Sequence, residues 1–180
     1  ISKTSLWIYL GIVLVFYPIL VYFYSLYIYT TNIPFSDDYP TVLDATISII
    51  QSEGLKGKLV LLFSKSVEEI LLISKIIPLT TYYVFGEIDL RLSRIIGNSA
   101  FLGLLFFAYK ALPNNREKIF LLLPAALLLF QLKQNWFYIT VASTPIISLW
   151  FSSLVFYFLG KNSTKHFFYS VLIAICSVLS

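Results

Sequence analysis

The sequence predicts an all-α protein: a polytopic transmembrane helical bundle with a long first outward loop that carries short interfacial amphipathic helices. Three observations lead there. Hydrophobic residues make up 58% of the 180 residues, charged residues only 12%, and mean hydropathy is +0.83. A soluble domain is usually about one quarter charged. Long apolar stretches recur along the chain. The acids are confined to one segment: Asp37, Asp38, Asp44, Glu53, Glu68, Glu69, Glu87 and Asp89 lie between Asn32 and Asp89, and only Glu117 lies elsewhere.

Leu6–Tyr29 is the first predicted span, within the roughly 17–25 residues that cross a hydrocarbon core. Pro18 kinks it, and Tyr22, Tyr24, Tyr27 and Tyr29 crowd its far end as an interfacial aromatic belt does. No small-residue cleavage site follows, so the helix is expected to be retained. Further spans are expected at about 95–109, 119–132, 138–159 (kinked at Pro145) and 167–180. A chain that starts at Ile1, contains no Met and stops inside an apolar run reads as the N-terminal part of a larger protein.

Between the first two spans lies the outward loop, about residues 30–92. Thr41 to Ser52 reads as an amphipathic helix. Asp44, Ser48 and Gln51 form a polar stripe and Leu43, Ile47 and Ile50 an apolar face, with Gly54 and Gly57 ending it. Ser66 to Ile77 reads as a second short helix, opened by the capping box Ser66-x-x-Glu69 and stopped by Pro78. Both are too short to span a bilayer and suit its interface.

Lys3, then Lys110, Arg116 and Lys118, then Lys161 and Lys165 fall on one side of alternating spans. The positive-inside rule makes that side, and the N-terminus, cytoplasmic, so the protein is expected in the cytoplasmic (inner) membrane with Asp37 and Asp38 facing outward. The net charge of +4 is scattered and gives no reason to expect nucleic acid. The single Cys176 forms no intrachain disulfide, and with one histidine, His166, a His/Cys metal cluster is excluded within the chain.

Chemistry centres on Pro34-Phe35-Ser36-Asp37-Asp38-Tyr39-Pro40. Taken singly, Asp38 before Tyr-Pro is good helix-cap chemistry, and Asp44 completes a Thr41-x-x-Asp44 cap. As a pair at a membrane surface, Asp37 and Asp38 sit where burial tunes a carboxylate into a general base. The pair is also a candidate to hold a divalent cation through oxygen ligands, although two carboxylates alone leave such a site incomplete. Lys65, Arg91 and Arg94 are candidates for phosphate contacts. Arg91 and Arg94 equally suit anchoring of the second span in lipid headgroups.

One span, Asp37-Asp38-Tyr39, then Leu61-Leu62-Phe63-Ser64 and Phe85-Gly86-Glu87-Ile88-Asp89-Leu90-Arg91 resemble membrane glycosyltransferases of the GT-C superfamily. The likeness continues through Asn135-Trp136 into the fourth span. Where such proteins carry a run of histidines and arginine around a glutamate, this chain has Lys65-Ser66-Val67-Glu68-Glu69-Ile70, and Glu68 matches the glutamate. The resemblance implies transfer of a sugar from a polyprenyl-phosphate-linked donor to a glycan, lipid or protein acceptor hydroxyl at the outer membrane surface. Asp37 or Asp38 would be the base, and Glu68, Lys65, Arg91 and Arg94 would contact substrate. A non-catalytic transport or flippase-like component is the alternative, together with a lipid-linked glycan polymerase or ligase. A transporter should carry ionisable residues within its spans, and the spans as drawn hold essentially none.

Overall fold

A computed structural model describes residues 3–35, 38–65, 72–112, 118–132, 144–160 and 164–178, and among these every regular element is helical. In chain order they are α1 (Lys3–Tyr29), a π-helical turn (Tyr39–Leu43), α2 (Asp44–Gln51), α3 (Gly54–Leu62), α4 (Leu72–Phe85), α5 (Leu90–Ala111), α6 (Lys118–Leu121), α7 (Leu123–Leu129), α8 (Thr144–Leu159) and α9 (Thr164–Val178).

Two of these helices are long and apolar enough to cross a membrane: 24 residues from Leu6 to Tyr29 and 22 from Leu90 to Ala111. At 1.5 Å per residue they reach about 36 and about 33 Å, against a hydrocarbon core of about 30 Å. The expected second span therefore begins five residues earlier than Ile95 and takes Arg91 and Arg94 into its first turns. The apolar helices at Lys118–Leu129, Pro145–Leu159 and Lys165–Ser177 are shorter. Part of the expected fourth span, 138–143, lies outside the described residues.

α1 buries one stripe, Gly11, Val15, Ile19, Tyr22 and Leu26, at helical spacing. Its other faces leave Leu6, Trp7, Val13, Phe16, Leu20 and Tyr24 exposed. Tyr22 lies at the centre of an aromatic cluster with Phe23, Phe101 and Phe130, whose ring centroids are 5.5–6.1 Å apart. Val15, Ile19, Leu26, Leu105, Leu122 and Ala126 continue this core.

Named contacts fix the direction of each helix. Gly11 packs against Ile119 and Phe120, while Tyr22 meets Phe130, so α1 and α6–α7 run parallel. Tyr22 meets Asn98 and Tyr27 meets Arg91, so α5 runs antiparallel to α1. The Trp150 indole lies over Gly103, and Phe107 meets Tyr157 one to two turns on, so α8 is parallel to α5. Ser152 meets Ser177 and Phe158 stacks on His166, which makes α9 antiparallel to α8.

The helices between α1 and α5 form a cap. Asp44, Ser48 and Gln51 are exposed, as their stripe predicts, but the most deeply buried side is Val42, Thr46 and Ile49, with Leu43, Ile47 and Ile50 only half-buried. Gly57 does not end α2. The reversal is made at Ser52 and Glu53, with Gly54 at φ +72° opening α3, and Gly57 sits inside that helix.

Pro78 does not stop the following helix either. It lies buried within α4, which runs on to Phe85 and ends at Gly86, whose φ of +81° and N–H bond to the Tyr82 carbonyl (2.8 Å) make a left-handed C-terminal cap. Proline removes one helical hydrogen bond, and burial of the surrounding turns holds the helix together across that gap. The Ser66–Glu69 capping box lies outside the described residues.

Lys75 of α4 ties the cap internally. Fully buried, its ammonium donates to the Ser64 carbonyl (2.6 Å), the Leu61 carbonyl (3.3 Å) and Ser64 Oγ (3.3 Å), closing the carbonyl end of α3. Burial lowers the Lys75 pKa from its ordinary 10.5, because desolvation disfavours the charged form. Between the lowered value and 10.5 the unfolded chain binds more protons, so this residue's contribution to stability rises with pH across that window. Unfolding in detergent followed from neutral pH to pH about 10 should show that rise in the native chain, and Lys75→Met should remove it.

Candidate functional site

Of the acidic motif, Asp38 is fixed where α1 ends and α5 begins. Both partners of the Asp38–Arg94 ion pair are fully buried, with Arg94 Nη2 donating to Asp38 Oδ2 at 2.8 Å. Arg94 also donates from Nη1 to the Thr31 carbonyl (2.7 Å) and from Nη2 to the Ile33 carbonyl (2.9 Å). One guanidinium therefore gathers the chain that leaves α1 and the carboxylate eight residues after Thr30. Arginine's planar fork suits such convergent acceptors, and pairing plus hydrogen bonding is what makes a buried charge tolerable.

The start of α5 is built to present this guanidinium. Asp89 caps the helix, its Oδ1 accepting from the Leu92 N–H at 2.8 Å. Asn32 Oδ1 accepts from the Leu90 N–H at 2.8 Å, so the segment after α1 caps α5 as well. Arg91 returns the favour to α1, donating to the Tyr27 carbonyl (2.6 Å) with its guanidinium 4.3 Å from the Tyr27 ring centroid. Inward from Arg94, Asn98 Nδ2 donates to the Arg94 carbonyl (2.8 Å) and Asn98 Oδ1 accepts from Tyr22 Oη (2.5 Å). A polar chain thus runs from the cap into the aromatic core.

Several expectations change. Asp38 does not cap a helix through its side chain: its backbone is already helical, and no side-chain cap bond forms. Pro40, at the start of the π-helical turn, has no N–H to offer, and Arg94 takes the carboxylate instead. Arg94 is not a headgroup anchor, because it is buried, and Arg91 is engaged with the end of α1. The spans are not empty of ionisable groups, since α5 carries both arginines.

Of the predicted site residues, the fold brings Asp38 and Arg94 into contact and places Arg91 one turn away. Lys65 is exposed beyond α3, and among the described residues no contact joins it to the pair. Asp37 and Glu68 lie outside the described residues. A divalent cation does not fit Asp38, whose carboxylate faces a guanidinium. Among the described residues no three His, Cys, Asp or Glu side chains converge as a metal site would need.

Sequence reading missed Asn32, Asn98 and Tyr22 in this network. Arg94 and Asn98 stand four apart on a largely apolar helix, a spacing that puts both on one face, and that was the available signal. No family model matches the chain, and no match is found among curated proteins or solved structures.

Removing one member of a buried pair strands the other and costs about 3–5 kcal/mol. Asp38→Asn and Arg94→Gln should each lower stability by that order, Arg94→Gln the more because two carbonyls also lose their donor. The double variant should lose clearly less than the sum. Thermal unfolding of the four proteins in one detergent checks this.

Proposed function

We propose that the chain is a multi-pass α-helical protein of the cytoplasmic membrane, with its N-terminus on the cytoplasmic side. On this reading it transfers a sugar from a polyprenyl-phosphate-linked donor to an acceptor hydroxyl at the outer face. The alternation of helix directions supports the membrane placement. With α1 running outward, α5 returns, α6–α7 run outward, α8 returns and α9 runs outward. Lys3, Lys110, Lys118 and Lys165 then share one end, as positive-inside topology requires. The shorter helices cross on this reading by local thinning of the bilayer and snorkelling of their flanks.

The observation that supports the transfer reading is the docking of Asp38 where α1 ends and α5 begins. Arg94 holds Thr31, Ile33 and Asp38 beneath the helices of the cap. Chemistry at such a site needs a carboxylate to take the acceptor's proton and a cation to steady the departing phosphate. The charge of Asp38 is already matched by Arg94, so its role is to position, and Asp37 is the base. Arg91, half-buried one turn before Arg94, supplies the cation for the phosphate.

A second reading rests on the completeness of the Asp38–Arg94 burial: the pair is a structural latch in a non-catalytic transport or flippase-like component, or in a glycan polymerase or ligase. Assays with lipid-linked sugar donors separate the two. Under the transfer reading Asp37→Asn lowers the rate by about 10²–10⁴-fold with membrane insertion and thermal stability unchanged, whereas Asp38→Asn lowers rate and stability together. An Asp37→Asn protein with full transfer activity would leave only the latch.

A further inference from the structure

At the opposite end of the bundle from Asp38, the last turns of α5 and α8 leave a groove of about 460 Å³, lined by Phe107, Lys110, Ala111, Ser153 and Tyr157. The geometry points to a binding site for the phosphodiester headgroup of one anionic phospholipid of the cytoplasmic leaflet. This inference rests on the membrane placement proposed above and not on sugar transfer.

Two features of the groove select that occupant. First, its chemistry is amphipathic in the lipid's own order. Lys110 is exposed at the rim, its ammonium 5.4 Å from the Phe106 ring centroid. Phe107 and Tyr157 meet in a tilted pair, ring centroids 5.7 Å apart, to make an apolar wall, and exposed Phe106 and Phe156 continue it along the outside of the bundle. A headgroup phosphate meets the ammonium and the hydroxyls, and its acyl chain follows the rings. Ser153 Oγ now donates to the Leu149 carbonyl at 2.9 Å, and a rotation about χ1 turns it to a phosphate oxygen.

Second, among the described residues the charges at this end have one sign. Among the described residues the charged side chains here are Lys110, Lys118 and Lys165, with the Lys118 ammonium 4.0 Å from the Tyr109 ring centroid, while the described acids all lie in 38–89. The carbonyl end of α5 repels anions, so the positive charge must come from lysine. Basic pockets between membrane helices on the cytoplasmic side are suited to anionic headgroups.

Native mass spectrometry of the purified full chain, loaded with phosphatidylglycerol or phosphatidylcholine, tests the site. Retention of one phosphatidylglycerol in preference to phosphatidylcholine is expected. Lys110→Gln should weaken that retention about fivefold, Lys110→Arg should restore it, and Lys165→Gln should leave it unchanged. An excess of inorganic phosphate should not displace the lipid. Equal retention of both lipids, no effect of Lys110→Gln, or equal losses from Lys110→Gln and Lys165→Gln would overturn the site. Displacement by phosphate would overturn the lipid as occupant. Sugar transfer is read separately, so failure of one inference leaves the other standing.

Discussion

The Asp38–Arg94 ion pair is the constraint on which the rest of the structure depends. Two opposite charges removed from water cost several kcal/mol each, and attraction offsets this only when geometry and further hydrogen bonds are good. Here the guanidinium also binds two backbone carbonyls, Thr31 and Ile33, from the segment that leaves α1. The arrangement therefore specifies where the first loop must sit. Any other placement of that loop would leave a bare guanidinium inside an apolar bundle.

From that pair the fold reads in both directions. Toward the cap, Asp38 starts the π-helical turn and α2, and Lys75 then holds α4 against the end of α3. Toward the core, Asn98 and Tyr22 carry hydrogen bonding into the rings of Phe101 and Phe130. Reciprocal capping, with Asn32 on the start of α5 and Arg91 on the end of α1, makes the two long helices one unit. The remaining helices pack on this unit through close approaches, with Gly11 under Phe120 and Gly103 under Trp150.

Local features were legible in the sequence and non-local ones were not. The extent of α1, the exposed stripe of Asp44, Ser48 and Gln51, and the helical class all follow from apolar length and periodicity, which neighbouring residues carry. The partner of Arg94 lies 56 residues away, beyond any periodic signal. Counting hydropathy pushed both arginines outside the span, because a charge reads as a boundary unless its partner is known. Pro78 misled for a related reason: proline's local preference to end a helix is overridden by tertiary packing, and Gly86 eight residues later was the effective stop. At the candidate site, the acidic pair was readable as a motif, and the neutralisation of Asp38 by Arg94 was not.

The claim that one ion pair holds the cap on the bundle is tested most directly by amide hydrogen exchange of the native chain and Arg94→Gln, compared segment by segment. Loss of protection in 39–62, with α8 and α9 protected as before, is the predicted result, since Arg94 contacts the chain that leads into the cap and the α8–α9 pair is held by its own packing. Unchanged protection in 39–62 would contradict the account and assign the cap's position to apolar packing alone.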